Sequence, residues 1–150
     1  MNLEIIIRNY CVGDKLSVLK LIQLNTPKYF ASEEEQDLVY YLENELENYF
    51  IVELNGEVVG SGGLNFKSSE ENIIGVISWD LIHPNYQGIG IGKKLLEFRL
   101  NFLKSQTLIT NVIVRTSQHV YKFYEKSGFE LVEIIKDYWS EGFDLYLMKL

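Results

Sequence analysis

The chain has little cysteine, little proline and no long apolar run. It contains 1 cysteine and 2 prolines in 150 residues. A single cysteine, Cys11, excludes an internal disulfide and a cysteine-rich zinc site, and we expect no metal centre. No apolar run reaches about 18 residues, and the N-terminal segment lacks the charged start and long apolar stretch of a signal peptide. These absences predict a cytoplasmic protein that does not enter a membrane.

Positive charge is also scarce. The sequence has 14 Lys and Arg residues against 21 Asp and Glu residues, which gives a net charge of −7. Nucleic acids and anionic membranes are bound through excess positive charge. The composition therefore argues against both as main partners and favours a cationic partner.

Length and composition are those of one globular domain. Hydrophobic residues make up 47% of the chain and charged residues 23%, and a chain of this length buries roughly 70% of its unfolded surface. No repeat or Pro/Gly/Ser-rich linker interrupts it. We expect residues 1–150 to form a single domain, and a homodimer is allowed but not required.

Apolar patterning predicts seven strands and four helices in the order β-α-α-β-β-β-α-β-α-β-β. The predicted strands cover residues 3–8, 49–54, 57–64, 73–82, 108–115, 129–137 and 143–150, and the predicted helices cover 14–25, 33–49, 89–105 and 118–127.

Ser32 and Glu35 form the pattern of a capping box, which places Glu33–Glu35 at a solvated helix start. Asn55-Gly56 predicts a tight hairpin. In the third helix the predicted apolar stripe is Ile91, Leu95, Phe98 and Phe102. Because β-α-β units need crossovers and hairpins are antiparallel, we expect a mixed sheet with helices on both faces.

The most informative stretch is the glycine-rich turn HPNYQGIGIGKK, residues 83–94, between a predicted strand and a long helix. Alternating glycines let the backbone approach a ligand, and a helix N-terminus offers unpaired N–H groups, so the turn fits a phosphate. It is not a Walker A loop, because Lys94 stands where a hydroxyl is required, nor a Rossmann turn, because Lys93 replaces the third glycine. A purely structural turn is the alternative.

Two motifs resemble signatures of one family. The pattern Ile82-x-Pro84-x-x-Gln87-x-x-Gly90-x-Gly92 resembles the coenzyme A signature of the GNAT superfamily of N-acetyltransferases, and YKFYEKSGF at residues 121–129 resembles its second signature. The element order extends the resemblance over the whole chain. It implies an α/β fold with a mostly antiparallel seven-stranded sheet, splayed between strands four and five.

The resemblance implies acetyl-CoA as the co-substrate. Backbone amides of the turn would hold the pyrophosphate, and the pantetheine arm would pair with the main chain of Ile82. Ser117 stands where the family often has asparagine, and Val120 where it often has alanine. The implied binding residues are Ile82, His83, Gln87, Gly88, Ile89, Gly90, Ile91, Gly92, Lys93, Ser117 and Tyr124. For His83 the alternative is a turn element.

The resemblance also implies catalytic roles. The amide of Ile82 would polarise the thioester carbonyl, and Tyr124 would protonate the departing thiolate, since a phenol stays protonated at neutral pH. Tyr124 could instead be a core aromatic residue. Asp80 is the acid nearest to where relatives place a general base, and it could serve as the base, as an anchor for the acceptor amine, or as a structural partner.

The acceptor pocket would lie between residues 26–32, with Tyr29 and Phe30, and residues 138–142, with Tyr138 and Trp139. Aromatic residues beside Glu33–Glu35 suit a cation, although ordinary packing explains them equally well. We expect transfer of an acetyl group to a primary amine of a small, cationic molecule by direct attack in a ternary complex. The alternatives are acetylation of a protein N-terminus or lysine, and a non-catalytic CoA-binding module.

Overall fold

The computed structural model describes residues 4–106 and 108–150, so Leu3 of the first predicted strand lies outside the described residues. The strands are β1 Ile5–Asn9, β2 Asn48–Leu54, β3 Glu57–Ser69, β4 Asn72–Ile82, β5 Ile109–Thr116, β6 Glu130–Ser140 and β7 Phe143–Lys149. The helices are α1 Lys15–Leu24, α2 Glu34–Asn44, α3 Ile91–Lys104 and α4 Tyr121–Lys126. None of the helices in these two described segments is long and apolar enough to cross a membrane.

All seven strands form one sheet in the order β1-β2-β3-β4-β5-β7-β6. Among the strand pairs of the described residues, β4 and β5 alone are parallel. Along β2, Tyr49 and Ile51 pack with residues of α1 and α2, whereas Phe50 and Val52 pack with α3. The sheet therefore separates α1 and α2 from α3, which confirms the predicted mixed sheet with helices on both faces.

The sheet is splayed where its two parallel strands end. Pairing between β4 and β5 runs from Ile73 opposite Ile109 to Ile77 opposite Val114 and then stops, although β4 continues to Ile82. Beyond that point β5 pairs with β7 alone. The predicted opening between strands four and five is confirmed, and it leaves the last residues of β4 without a neighbour on one side.

A β-bulge lies in the part of β4 that pairs with β3 but not with β5. Gly62 of β3 stands opposite two residues of β4, Trp79 and Asp80, and Trp79 has a left-handed φ of +49°. An extra residue in one strand interrupts the alternation of side chains. As a result Ser78 and Trp79 both face α2, and Asp80 faces α3 and α4.

The second helix differs from the prediction at both ends. It begins at Glu34 with Glu33 at the N-cap position, and no side chain caps it, so the Ser32–Glu35 capping box is wrong. It ends at Asn44, not near residue 49, because Tyr49 pairs with β3 and its hydroxyl donates to the carbonyl of Trp79. Long-range strand pairing outweighs the helical spacing there.

The buried stripe of α3 also differs from the prediction. Phe98 and Phe102 are 40% and 37% exposed. The buried side chains of this helix are Ile91, Leu95, Leu96, Arg99 and Leu103. Ile91 and Leu95 are buried as predicted, but the rest of the buried face is turned towards Leu96, Arg99 and Leu103, by less than the roughly 100° of one residue, and this places an arginine against the sheet.

Candidate active site

The glycine-rich turn joins β4 to α3 with an open backbone. Gly88 and Gly90 have φ values of +81° and +91°, and a Cβ atom added to either would meet no atom within 4 Å. The first hydrogen bond of the helix runs from the N–H of Lys94 to the carbonyl of Gly90. The preceding N–H groups therefore have no acceptor within the helix and can bind an anion.

A cavity of about 470 Å³, here called the loop cavity, lies beside this turn. The predicted binding residues that line it are Ile82, Gln87, Gly88, Gly90, Gly92, Lys93 and Tyr124. Four other predicted residues lie elsewhere. His83 accepts a hydrogen bond from the Asn85 N–H at 3.1 Å, Ile89 is exposed, and Ile91 is buried in the core. Ser117 lines a different cavity.

The end of β4 presents the main chain of Ile82 to the gap in the sheet. The N–H of His83 donates to the carbonyl of Val59 at 2.8 Å. Because consecutive residues of an antiparallel strand alternate in direction, the N–H and carbonyl of Ile82 point away from β3 and towards the splayed side. The carbonyl accepts from the side-chain amides of Asn25 and Gln87, at 3.0 and 3.2 Å.

Asn25 is a site residue that no sequence motif indicates. It is buried at the end of α1, and its amide also donates to the carbonyl of Leu21 at 2.8 Å. Its side-chain oxygen accepts from the Gln87 amide at 3.0 Å. It therefore ties the end of α1 to the turn. A polar residue at a helix end is common on protein surfaces, so its sequence position carries no signal of this role.

A second cavity of about 760 Å³, here called the α2 cavity, lies on the α2 side of the splay. The predicted aromatic residues Tyr29, Phe30 and Trp139 line it, and Phe30 stacks on Trp79 with ring centroids 6.3 Å apart. Tyr138 is not in this lining. It is half exposed, and its hydroxyl accepts from Arg115 at 2.5 Å.

Most of the charged side chains that line the α2 cavity are acidic. The carboxylates are Glu34, Asp37, Glu45, Glu47 and Asp80, and the cations are Lys67 and Arg115. Glu34 is buried, and it accepts from the Ala31 N–H at 2.7 Å. Burial raises the pKa of Glu34 to about 7, against the effect of that hydrogen bond. The expectation of a solvated start at Glu33–Glu35 is thus wrong for its middle residue.

Asp80 and Tyr124 line both cavities, so they mark the place where the two meet. The Tyr124 hydroxyl donates to Oδ2 of Asp80 at 2.6 Å. The tyrosine is 3% exposed, and its ring packs edge-on against Phe123 and Phe129. Burial raises the pKa of Tyr124 well above its usual value, and the charge of Asp80 adds to this effect.

Arg99 is a second site residue that no motif indicates, and it binds the carboxylate of Asp80. Its side chain has no exposed surface, and its two terminal nitrogens donate to the two oxygens of Asp80 at 2.5 and 2.9 Å. It also donates to the carbonyls of Gly63 and Leu95. These contacts favour the structural interpretation of Asp80. A signal was present in the sequence: Arg99 follows Leu95 at helical spacing, and Asp80 interrupts a β-branched strand.

Comparisons with known proteins identify a family and a fold. The model of the acetyltransferase (GNAT) family matches residues 18–129. An N-alpha-acetyltransferase from Sulfurisphaera tokodaii is 28% identical over 158 aligned positions, which cover 95% of this chain and 90% of the relative.

Two solved structures illustrate the likeness in fold. Arabidopsis thaliana Naa50, in complex with the bisubstrate analogue CoA-Ac-MVNAL, has a TM-score of 0.74 at 19% identity, with 97% of each chain covered. An aminoglycoside 6'-N-acetyltransferase complexed with coenzyme A has a TM-score of 0.75 at 15% identity, covering 97% of this chain and 96% of that one. At these identities the likeness concerns the fold alone.

Proposed function

The chain belongs to the acetyltransferase (GNAT) family and is an acetyl-CoA-dependent N-acetyltransferase, and we propose that its acceptor is the α-amino group of a polypeptide. The observation that carries this proposal is the match to an N-alpha-acetyltransferase over nearly the whole chain. The open α2 cavity, large enough for several side chains, supports it.

Acetyl-CoA would lie in the loop cavity. The unpaired N–H groups at the start of α3 are suited to its pyrophosphate, and Lys93 and Lys122 add positive charge to the lining. Ile82 would pair with the pantetheine arm through the main-chain groups that face the splay. Gln87 would have to release the Ile82 carbonyl if the arm takes that acceptor.

The acceptor amine would enter through the α2 cavity and meet the thioester near Asp80 and Tyr124. The ammonium form of the acceptor first loses a proton to bulk water; the neutral nitrogen then bonds to the carbonyl carbon, and the Ile82 N–H would stabilise the oxygen as it gains charge. The carbon–sulfur bond then breaks, and the sulfur keeps the electron pair and takes the proton of the Tyr124 hydroxyl, whose O–H turns from Oδ2 of Asp80 towards the sulfur. The proton released by the nitrogen restores Tyr124, so the reaction balances.

A small cationic amine is the second candidate acceptor. The acidic lining of the α2 cavity favours it, because carboxylates attract an ammonium group, and the aromatic rings of Phe30 and Trp79 line the same cavity. The same lining accommodates the charged N-terminus of a peptide. The charge of the cavity therefore supports a cation of either class, and the similarity to an N-alpha-acetyltransferase favours the peptide.

A thiol-release assay over a panel of amines tests the proposal. The panel contains short peptides with free N-termini, the same peptides with blocked N-termini and an internal lysine, and polyamines. We expect release of coenzyme A only with free N-termini. Turnover confined to polyamines would replace the peptide by the small amine, and turnover on blocked peptides would point to lysine.

A further inference from the structure

We propose that Arg99, acting through Asp80, is a positioning residue that fixes the Tyr124 hydroxyl at the junction of the two cavities and balances the charge left on it after proton transfer. The inference rests on the role of Tyr124 in the proposed function. Arg99 itself would not touch either substrate, because it is absent from the described linings of both cavities.

The three side chains come from three separate elements and form one continuous chain of hydrogen bonds. Arg99 of α3 donates to both oxygens of Asp80 in β4, and Tyr124 of α4 donates to one of them. The bulge at Trp79 is what turns Asp80 towards α3. Gly62 leaves the necessary room, because a Cβ atom there would lie 2.3 Å from Oδ1 of Asp80.

Charge explains why the arginine is needed. Asp80 raises the pKa of Tyr124, whereas Arg99 lowers it. Once the hydroxyl has given its proton to sulfur, the phenolate would stand 2.6 Å from a carboxylate. The guanidinium supplies the compensating charge: burial lowers the pKa of Arg99, but the charge and hydrogen bonds of Asp80, with smaller contributions from Tyr124 and Tyr49, together outweigh this and raise it.

Other titratable groups face this cluster from the α2 side of the sheet. Tyr49 of β2 and Tyr41 of α2 both interact with Arg99. Burial raises the pKa of each hydroxyl above its usual value, so both are neutral while Tyr124 is active. The charges that bear on Tyr124 are therefore those of Asp80 and Arg99.

Steady-state kinetics of the whole enzyme with acetyl-CoA test this inference. The variants are Arg99→Lys, Arg99→Met, the charge-free pair Asp80→Leu/Arg99→Met, and Tyr124→Phe as the reference for loss of the hydroxyl. For Arg99→Met we expect kcat to fall on the order of 10²-fold, as for a misplacement of about 1 Å, with the KM for acetyl-CoA unchanged. Arg99→Lys should recover part of kcat, because it restores the charge without the two-pronged contact.

The charge-free pair separates positioning from stability. Replacing a buried ion pair by apolar residues of similar size usually preserves the fold, so a merely structural role predicts that this variant recovers kcat. Positioning predicts that its kcat stays as low as that of Arg99→Met.

A spectroscopic titration gives an independent readout. The tyrosinate absorbance of Tyr124, taken as the difference from Tyr124→Phe, should appear at lower pH in Asp80→Asn and at higher pH in Arg99→Met. If the charge-free pair has wild-type kcat while Tyr124→Phe is slow, the proposed role of Arg99 is overturned and that of Tyr124 stands. Wild-type kcat in Tyr124→Phe would overturn the proposed function of Tyr124 together with this inference.

Discussion

Removing one partner of the buried Arg99–Asp80 pair should cost much of the free energy of unfolding. In Arg99→Met the Asp80 carboxylate, whose side chain is 13% exposed, loses both guanidinium contacts. A buried charge left without its partner costs about 3–5 kcal/mol. Domains have a total stability of about 5–15 kcal/mol. At about 2–4 °C per kcal/mol for a chain of this length, Tm should fall by roughly 6–20 °C.

Urea denaturation followed by circular dichroism measures this cost. Wild type, Arg99→Met and Asp80→Leu/Arg99→Met are compared at neutral pH, with the slope of free energy against urea used to check that each variant unfolds in two states. The charge-free variant should lie within about 1 kcal/mol of wild type or above it. A loss below about 1 kcal/mol in Arg99→Met would refute the reasoning, because it would mean that water solvates the Asp80 carboxylate.

Two further predictions concern the two cavities. Gly90→Asp should abolish acetyl-CoA binding in a calorimetric titration, because it introduces strain at positive φ and a charge that repels the pyrophosphate. Gly56→Asp, at φ +84° in a distant hairpin, is the control for strain. Acetyl-CoA binding by the Gly90 variant would show that the turn is not part of the site. The pKa of Glu34 rises on folding from 4.5 to about 7, so the unfolded chain holds fewer protons there and stability falls with rising pH across that interval. Thermal melts should show that Glu34→Gln gains stability over wild type as pH rises from 5 to 8, and parallel curves would contradict the burial of Glu34.

Local patterns predicted most of the fold. The Asn55-Gly56 turn identified the β2–β3 hairpin, and the strand and helix order follows from apolar spacing. Errors occur where a distant contact decides. Helical spacing extends from α2 towards Tyr49, which local apolar patterning also places at the start of the second strand, and pairing with β3 decides in favour of the strand. Local spacing alone fits both structures at this residue.

The candidate site, too, could be predicted only in part from the sequence. The glycine-rich turn is a continuous segment, so its residues could be proposed together, and most of them line one cavity. Arg99 and Asp80 are 19 positions apart and meet because a bulge turns one of them round. The burial of Glu34 depends likewise on how the segment before α2 folds back, with its carboxylate hydrogen-bonded to Ala31. Both features require the three-dimensional arrangement of several elements.

The bulge at Trp79 makes β4 sensitive to length rather than to composition. Side chains on a strand alternate with a period of two, and the bulge already adds one residue to that alternation. Inserting a further residue between Ser78 and Asp80 would exchange the two faces on one side of the insertion, so that Asp80 would point towards α2 and the hydroxyl of Tyr124 would lose its acceptor. Deleting Trp79 would instead restore the regular alternation and leave Asp80 on the α3 side, so this strand tolerates one residue fewer at the bulge but not one residue more.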